Sequence, residues 1–316
     1  MISAGLLACY ALAAGTLGTK WLRAARWTRR TPRLAIAAWQ ALASSVLLAI
    51  GAAGLAMAVN LAHVRTDLAQ LLNLCAESLT LGYAGPGGTS AAIFGIATFL
   101  ALLTRTGWCA TTATLTDRRA RATRVGALDL VGRRDMLPGA LVLDHAAPYA
   151  FCVGGRQHRV VVTTGLLNTL SDSEIAAVLE HEDAHLRQRH HLALLGCQIL
   201  FATLAPFFTG FRCVMVDVRH FAELCADDSA RQRVGAHHLR SALATLACRP
   251  APAGALAASG TDVAARLHRL DEAQERAGKL TSAGASLGIT AALLVPLALV
   301  AAPALTMAWE GICLLG

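Results

Sequence analysis

The apolar positions of this chain fall into long unbroken runs, not into evenly spaced stripes. Four runs, at about residues 2–18, 34–60, 91–115 and 284–310, are long enough for helices that cross a bilayer, which takes roughly 20 residues each. A fifth, at 192–211, fits either a buried core helix or a segment that associates with the membrane. Between the third and fourth runs the pattern changes. Short strand-like stretches occupy 140–145, 150–153 and 159–165, with Gly154 and Gly155 supplying a turn between the last two. A helix then starts at Ser171, which with Glu174 forms a capping box, and Ile175, Val178, Leu179 and Leu186 give it an apolar face. The Ala-, Gly- and Pro-rich residues 249–262 read as a loop before a further helical stretch. These elements predict a mainly α membrane protein with four transmembrane helices and an α+β domain between the third and fourth. The expected divisions are a membrane region at 1–116, the domain at 117–283, and a last span with a short tail at 284–316.

Charge adds orientation. Lys20, Arg23, Arg26, Arg29, Arg30 and Arg33 follow the first run, and Arg118, Arg119, Arg121, Arg124, Arg133 and Arg134 follow the third. The loop after the second run holds only His63, Arg65, Asp67 and Glu77. The excess of arginine on cytoplasmic loops predicts both termini outside and residues 117–283 in the cytoplasm. The first run has no basic residue before it, unlike a cleaved signal peptide, and is expected to stay as a helix. Hydrophobic residues make up 55% of the chain and charged ones only 15%, which supports the membrane reading over a soluble one. The net charge of +8 sits beside apolar runs, not on a basic face with interleaved aromatics, so direct nucleic-acid binding is not expected. The nine cysteines include no CxxC pair, which argues against a disulfide framework or a zinc ribbon.

The chemistry lies in HEDAH. Residues four apart on a helix share a face, so His181 and His185 can offer two imidazoles to one metal while Glu182 sits beside them. Zinc with an open position lowers the pKa of a bound water, and Glu182 is the natural general base for attack on a peptide carbonyl. The site then needs a third protein ligand. Glu223 is the best candidate, with Asp227 one turn on to orient a ligand histidine, and Asp228 and Asp217 as weaker substitutes. Taken alone, this second segment also reads as an ordinary exposed helix with acids at one end and Arg231 and Arg233 at the other. Asp183, directly after the motif glutamate, must be exposed or paired, for instance with Arg187, because a buried lone carboxylate is costly.

HEDAH after VLE, an ExxxD segment some forty residues later and spans on both sides resemble the BlaR/MecR-type antirepressor metallopeptidases. RVVVTTGLLNTLSDSE, a strand and loop leading into LS-x-x-E, adds to the likeness. The resemblance implies a gluzincin-like zinc endopeptidase with His181, His185 and Glu223 as ligands, Glu182 as base, Asp227 as the partner of a ligand, and the strand near 159–164 lying along the substrate. It also implies a cytoplasmic repressor as substrate, a role in signalling and self-cleavage. Classical members carry a penicillin-binding sensor after the fourth span; only a few residues follow that run here, so no such sensor is expected. Two rival readings remain: a housekeeping membrane protease similar to the HtpX and CAAX-processing group, which shares HExxH and ExxxD, and a noncatalytic receptor that zinc merely stabilises. A zinc transporter fits less well, because the histidines sit outside the apolar runs.

Overall fold

The computed structural model describes residues 2–58, 88–133, 137–155, 158–248, 260–271 and 278–313. The loop expected at 249–262 lies almost wholly outside them. Among the described residues, four helices are long and apolar enough to cross a membrane: Ile2–Ala24, Pro32–Ala58, Ser90–Val131 and Leu280–Ala302. They flank a central α+β domain, as the hydropathy pattern predicts.

Helix α1 (Ile2–Ala24) contains a π-helical turn at Ala14–Gly18, and a short α2 (Trp27–Arg30) joins it to α3 (Pro32–Ala58). The first two spans run antiparallel, with Gly18 against Leu42. Glycine also lets the second and third spans approach closely: a Cβ on Gly54 would come within 2.8 Å of the Gly95 carbonyl. Small residues at such crossings are what allow helix backbones to pack where no hydrophobic drive exists.

The third span belongs to α4 (Gly88–Val131), a single helix of 44 residues. At 1.5 Å per residue it is about 66 Å long, roughly twice the hydrocarbon thickness of a bilayer. The change of composition at 116 is therefore no break in the chain, because the arginine-rich half continues the helix beyond the membrane. Its Leu128 and Val125 pack on the sheet beside Leu141, Val153 and Val161.

That sheet has three strands in the order β1 (Leu141–Leu143), β3 (Arg159–Thr163), β2 (Ala150–Val153). β1 pairs parallel with β3, and β2 pairs antiparallel with it through a turn at Gly155, whose φ of 128° suits glycine. Val161 and Val162 of β3 are paired on both sides. This corrects one expectation: the strand near 159–164 has no backbone edge left to offer a substrate. Among the described residues the outer edge of β2 has no strand partner.

Thr163 ends β3 and caps α5 (Thr164–Leu167), its hydroxyl accepting from the Leu166 amide. The motif helix α6 (Asp172–Arg187) starts at the expected capping box: Glu174 Oε2 accepts from the Ser171 amide at 2.8 Å. Helix α7 (His190–Leu204), a 3₁₀ turn at Thr209–Phe211, and α8 (Val214–Val234) follow. Phe201, Leu204 and Phe211 share one buried core with Leu7 and Trp39 of the spans, so the domain and the membrane helices are packed together. Helices α9 (Ala236–Ala247), α10 (Gly260–Asp271) and α11 (Lys279–Cys313) complete the chain.

Candidate metal centre

Helices α6 and α8 bring four of the expected side chains to one point. His181 and His185 are stacked one turn apart on α6, with their Nε2 atoms 3.2 Å apart. Glu223 of α8 faces both: Oε2 lies 3.3 Å from His181 Nε2, and Oε1 lies 3.4 Å from His185 Nε2. These spacings test the metal. Bonds of about 2.0–2.1 Å to a tetrahedral zinc place neighbouring ligand atoms about 3.3 Å apart, so two imidazoles and a carboxylate at these distances fit zinc without rearrangement. The Glu223 side chain is 34% exposed, which leaves the cluster open to solvent on that side.

Asp227, one turn after Glu223 and 1% exposed, sets the tautomer of His181. Its Oδ1 lies 3.0 Å from His181 Nδ1. A carboxylate there favours a proton on Nδ1, so the Nε2 proton is the one that a metal would displace. Asp228 is turned away and holds Arg269 through bonds of 2.6 and 2.9 Å, while Asp217 pairs with Arg23 at 3.0 Å. Neither weaker substitute reaches the cluster.

Electrostatics follow from this packing. Burial works against a charge on His181, but Asp227 and Glu223 outweigh it and raise its pKa to about 10 in the metal-free chain. His185 is pushed down to about 3, mainly by burial. Glu223 is held at about 2, because His181 and Arg266 overcome its burial. Burial raises the Glu182 carboxyl above the usual carboxylate range, with the His181 charge opposing. Asp183 pairs with Arg187, which also bonds Glu180, so the acid after the motif glutamate is matched on the helix surface.

Three contributors escaped the sequence reading. Arg266 of α10, 5% exposed, holds Asp227 with two bonds of 2.7 Å and reaches Glu223 Oε2 at 3.2 Å. Its signal is an arginine on an apolar stripe, at helical spacing with Val263 and Leu270. His190, at the start of α7, places its Nδ1 2.8 Å from His185 Nδ1 and so fixes the second imidazole. The thiol of Cys152, on β2, favours the ionised form of Glu182. Nothing in the spacing of the cysteines marks it.

Two adjacent helices whose His, His and Glu could hold one metal ion, with a glutamate beside them and a small sheet alongside, form a zincin-like arrangement. Residues 128–274 match the model of Peptidase family M48. Over 81 residues the chain is 40% identical to a Protease HtpX homolog of Acidiphilium cryptum, covering 23% of this chain and 28% of that one. A Protease HtpX homolog of Ralstonia pickettii is 35% identical over 91 residues, 26% of this chain and 32% of the relative. One from Campylobacter hominis is 30% identical over 101 residues, 31% and 33% respectively. The chain thus spans about a third or less of the length of the curated relatives it matches. No solved structure matches it.

These matches correct the BlaR/MecR-type resemblance. HExxH and a downstream ExxxD are shared by both groups and so do not separate them. The domain sequence itself decides, and it matches M48. The repressor substrate, the signalling role and self-cleavage rested on the resemblance and lose their warrant with it.

Proposed function

We propose that this chain is a membrane-bound zinc endopeptidase of the HtpX type that hydrolyses peptide bonds in protein substrates. The observation that carries this is the convergence of His181, His185 and Glu223 at the edge lengths of a zinc tetrahedron, with Glu182 next to them in the same helix turn. A zinc ion held there supplies an open coordination place, acidifies water and polarises a carbonyl. The chain's residues do the rest. Glu182, raised by burial toward the pH at which a base is most useful, takes a proton from the attacking water and passes it to the leaving nitrogen. Asp227 and His190 hold the two imidazoles in the ligand tautomer, and Arg266 keeps both α8 carboxylates ionised and in place. The open edge of β2, beside Glu182, is the backbone surface on which an extended substrate can pair.

The domain is assigned to the cytoplasmic face, with both termini outside. Arg23 pairing with Asp217 and Arg33 bonding Gln188 support a common side for the domain and the basic loop, and such loops are retained in the cytoplasm.

The test compares wild-type chain in liposomes with Glu182→Gln, measuring bound zinc and new N-termini in added unfolded protein. About one zinc in both, with cleavage in the wild type alone, supports the reading. Equal cleavage, or none in either with zinc bound, favours the zinc-stabilised receptor.

A further inference from the structure

The apolar stretch after the motif follows a path that neither a soluble core helix nor a spanning helix would take. It begins and ends at the same end of the first two spans. Before α7, Arg33 Nε donates to Gln188 Oε1 at 3.1 Å; after the 3₁₀ turn, Arg23 Nε donates to Asp217 Oδ2 at 3.0 Å. Both arginines flank the basic loop between α1 and α3.

Between these points the contacts move inward along the spans. Gln40 Nε2 donates to the Ala193 carbonyl at 3.1 Å, the Phe208 ring lies against Gly15, and Gly210 returns beside Thr19. Ser45 is the midpoint of Pro32–Ala58, and because Gly18 faces Leu42 across antiparallel helices, Gly15 is level with that midpoint. Gly15 is also where the chain is thinned for its guest: a Cβ there would come within 2.5 Å of the Phe208 ring.

A second ruler agrees. Gly95 of α4 faces Gly54, so Arg105, ten residues further on in the opposite direction, also comes level with the middle of α3. There its Nε donates to the Thr203 carbonyl at 2.9 Å and its Nη2 to the Ala202 carbonyl at 2.8 Å, with the guanidinium 5.9 Å from the centre of the Phe207 ring. An arginine at mid-bilayer is costly unless its charge is met, and the last carbonyls of a helix ending in hydrocarbon are equally costly unless a donor meets them. Each resolves the other, and the helix C-terminus favours the cation further.

We infer that residues 190–213 form a re-entrant hairpin, inserted to about the middle of the bilayer from the face that carries the domain and locked by Arg105. Lipid acyl chains are the partner of its outer face, where Leu192 is 48% and Phe207 63% exposed. The hairpin grows directly from the motif helix, so it pins the metal centre to the membrane surface. This does not rest on the peptidase reading.

The test places the full chain in bilayers, with its cysteines replaced and Phe207→Cys carrying an NBD fluorophore. Lipid with a nitroxide halfway along its acyl chain should quench the probe several-fold more than a headgroup nitroxide or aqueous iodide does. Dominant quenching by iodide overturns the insertion. Adding Arg105→Ala should move the probe outward, raising iodide quenching at least about twofold; an unmoved probe overturns the lock. Hydrogen exchange on the unsubstituted chain in nanodiscs guards against misfolded variants: amides 202–212 should exchange as slowly as those of α3, and exchange at loop rates rejects the hairpin.

Discussion

Arg266 grips Asp227 through two parallel bonds of 2.7 Å while both side chains are almost fully buried. The pair ties α10 to the floor of the metal centre, because Asp227 in turn holds His181. Removing one partner strands a buried charge, at a cost of about 3–5 kcal/mol. Arg266→Ala is expected to lower the unfolding temperature sharply and to weaken zinc binding. Arg266→Lys keeps the charge without the fork and should recover only part of either. Thermal unfolding with and without zinc measures both, and an Arg266→Ala chain of unchanged stability would refute this role.

Zinc loading should release protons. Between pH 7 and 8 the metal-free His181, raised to about 10, carries a charge, whereas His185 near 3 and Glu223 near 2 are already in their ligand forms. Binding must therefore displace about one proton from His181. Calorimetry in buffers of different ionisation enthalpy counts it. Asp227→Asn removes the main support of the His181 charge, so it should reduce the release and weaken zinc affinity roughly 10–100-fold. A count of zero in the wild type contradicts the arrangement.

The same shift fixes how the metal-free chain responds to pH. His181 has a folded pKa above its ordinary 6.5, so its stabilisation is complete below about 6.5 and is lost as pH rises through about 10. Metal-free wild type should lose more stability between pH 6.5 and 10 than Asp227→Asn does over the same interval. Parallel denaturant titrations decide the matter.

Cys152 should set the acid limb of the cleavage profile. Its thiol favours the ionised form of Glu182, so Cys152→Ala raises the Glu182 pKa. A general base works only when deprotonated. The acid limb of kcat/KM should accordingly move to higher pH; movement to lower pH would show that Glu182 is not the titrating group.

Much of this was readable in advance because it is local. HEDAH, the Ser171–Glu174 cap and the one-turn spacing of Glu223 and Asp227 are set by helix geometry, and the spans by length and apolarity. What stayed hidden depends on distant parts meeting. Arg266 lies far along the chain from Asp227, beyond a stretch rich in Ala, Gly and Pro. That β3 is the central strand depends on pairing with β1, which the strand's own residues do not encode. The two families that share the motif differ in the domain sequence around it and not in the motif.

Helix α4 gives the bilayer a mechanical handle on the sheet. It is continuous from the third span to Leu128, which is wedged against Leu141 and Val161. From Arg105, level with the middle of α3, to Leu128 the helix runs about 35 Å, so a pivot of about 5° in the membrane swings its far end by about 3 Å, and tilt is how spans adjust to a change in hydrocarbon thickness. Any tilt of the third span is thus carried by one unbroken helix to the strands it abuts, β1 and β3.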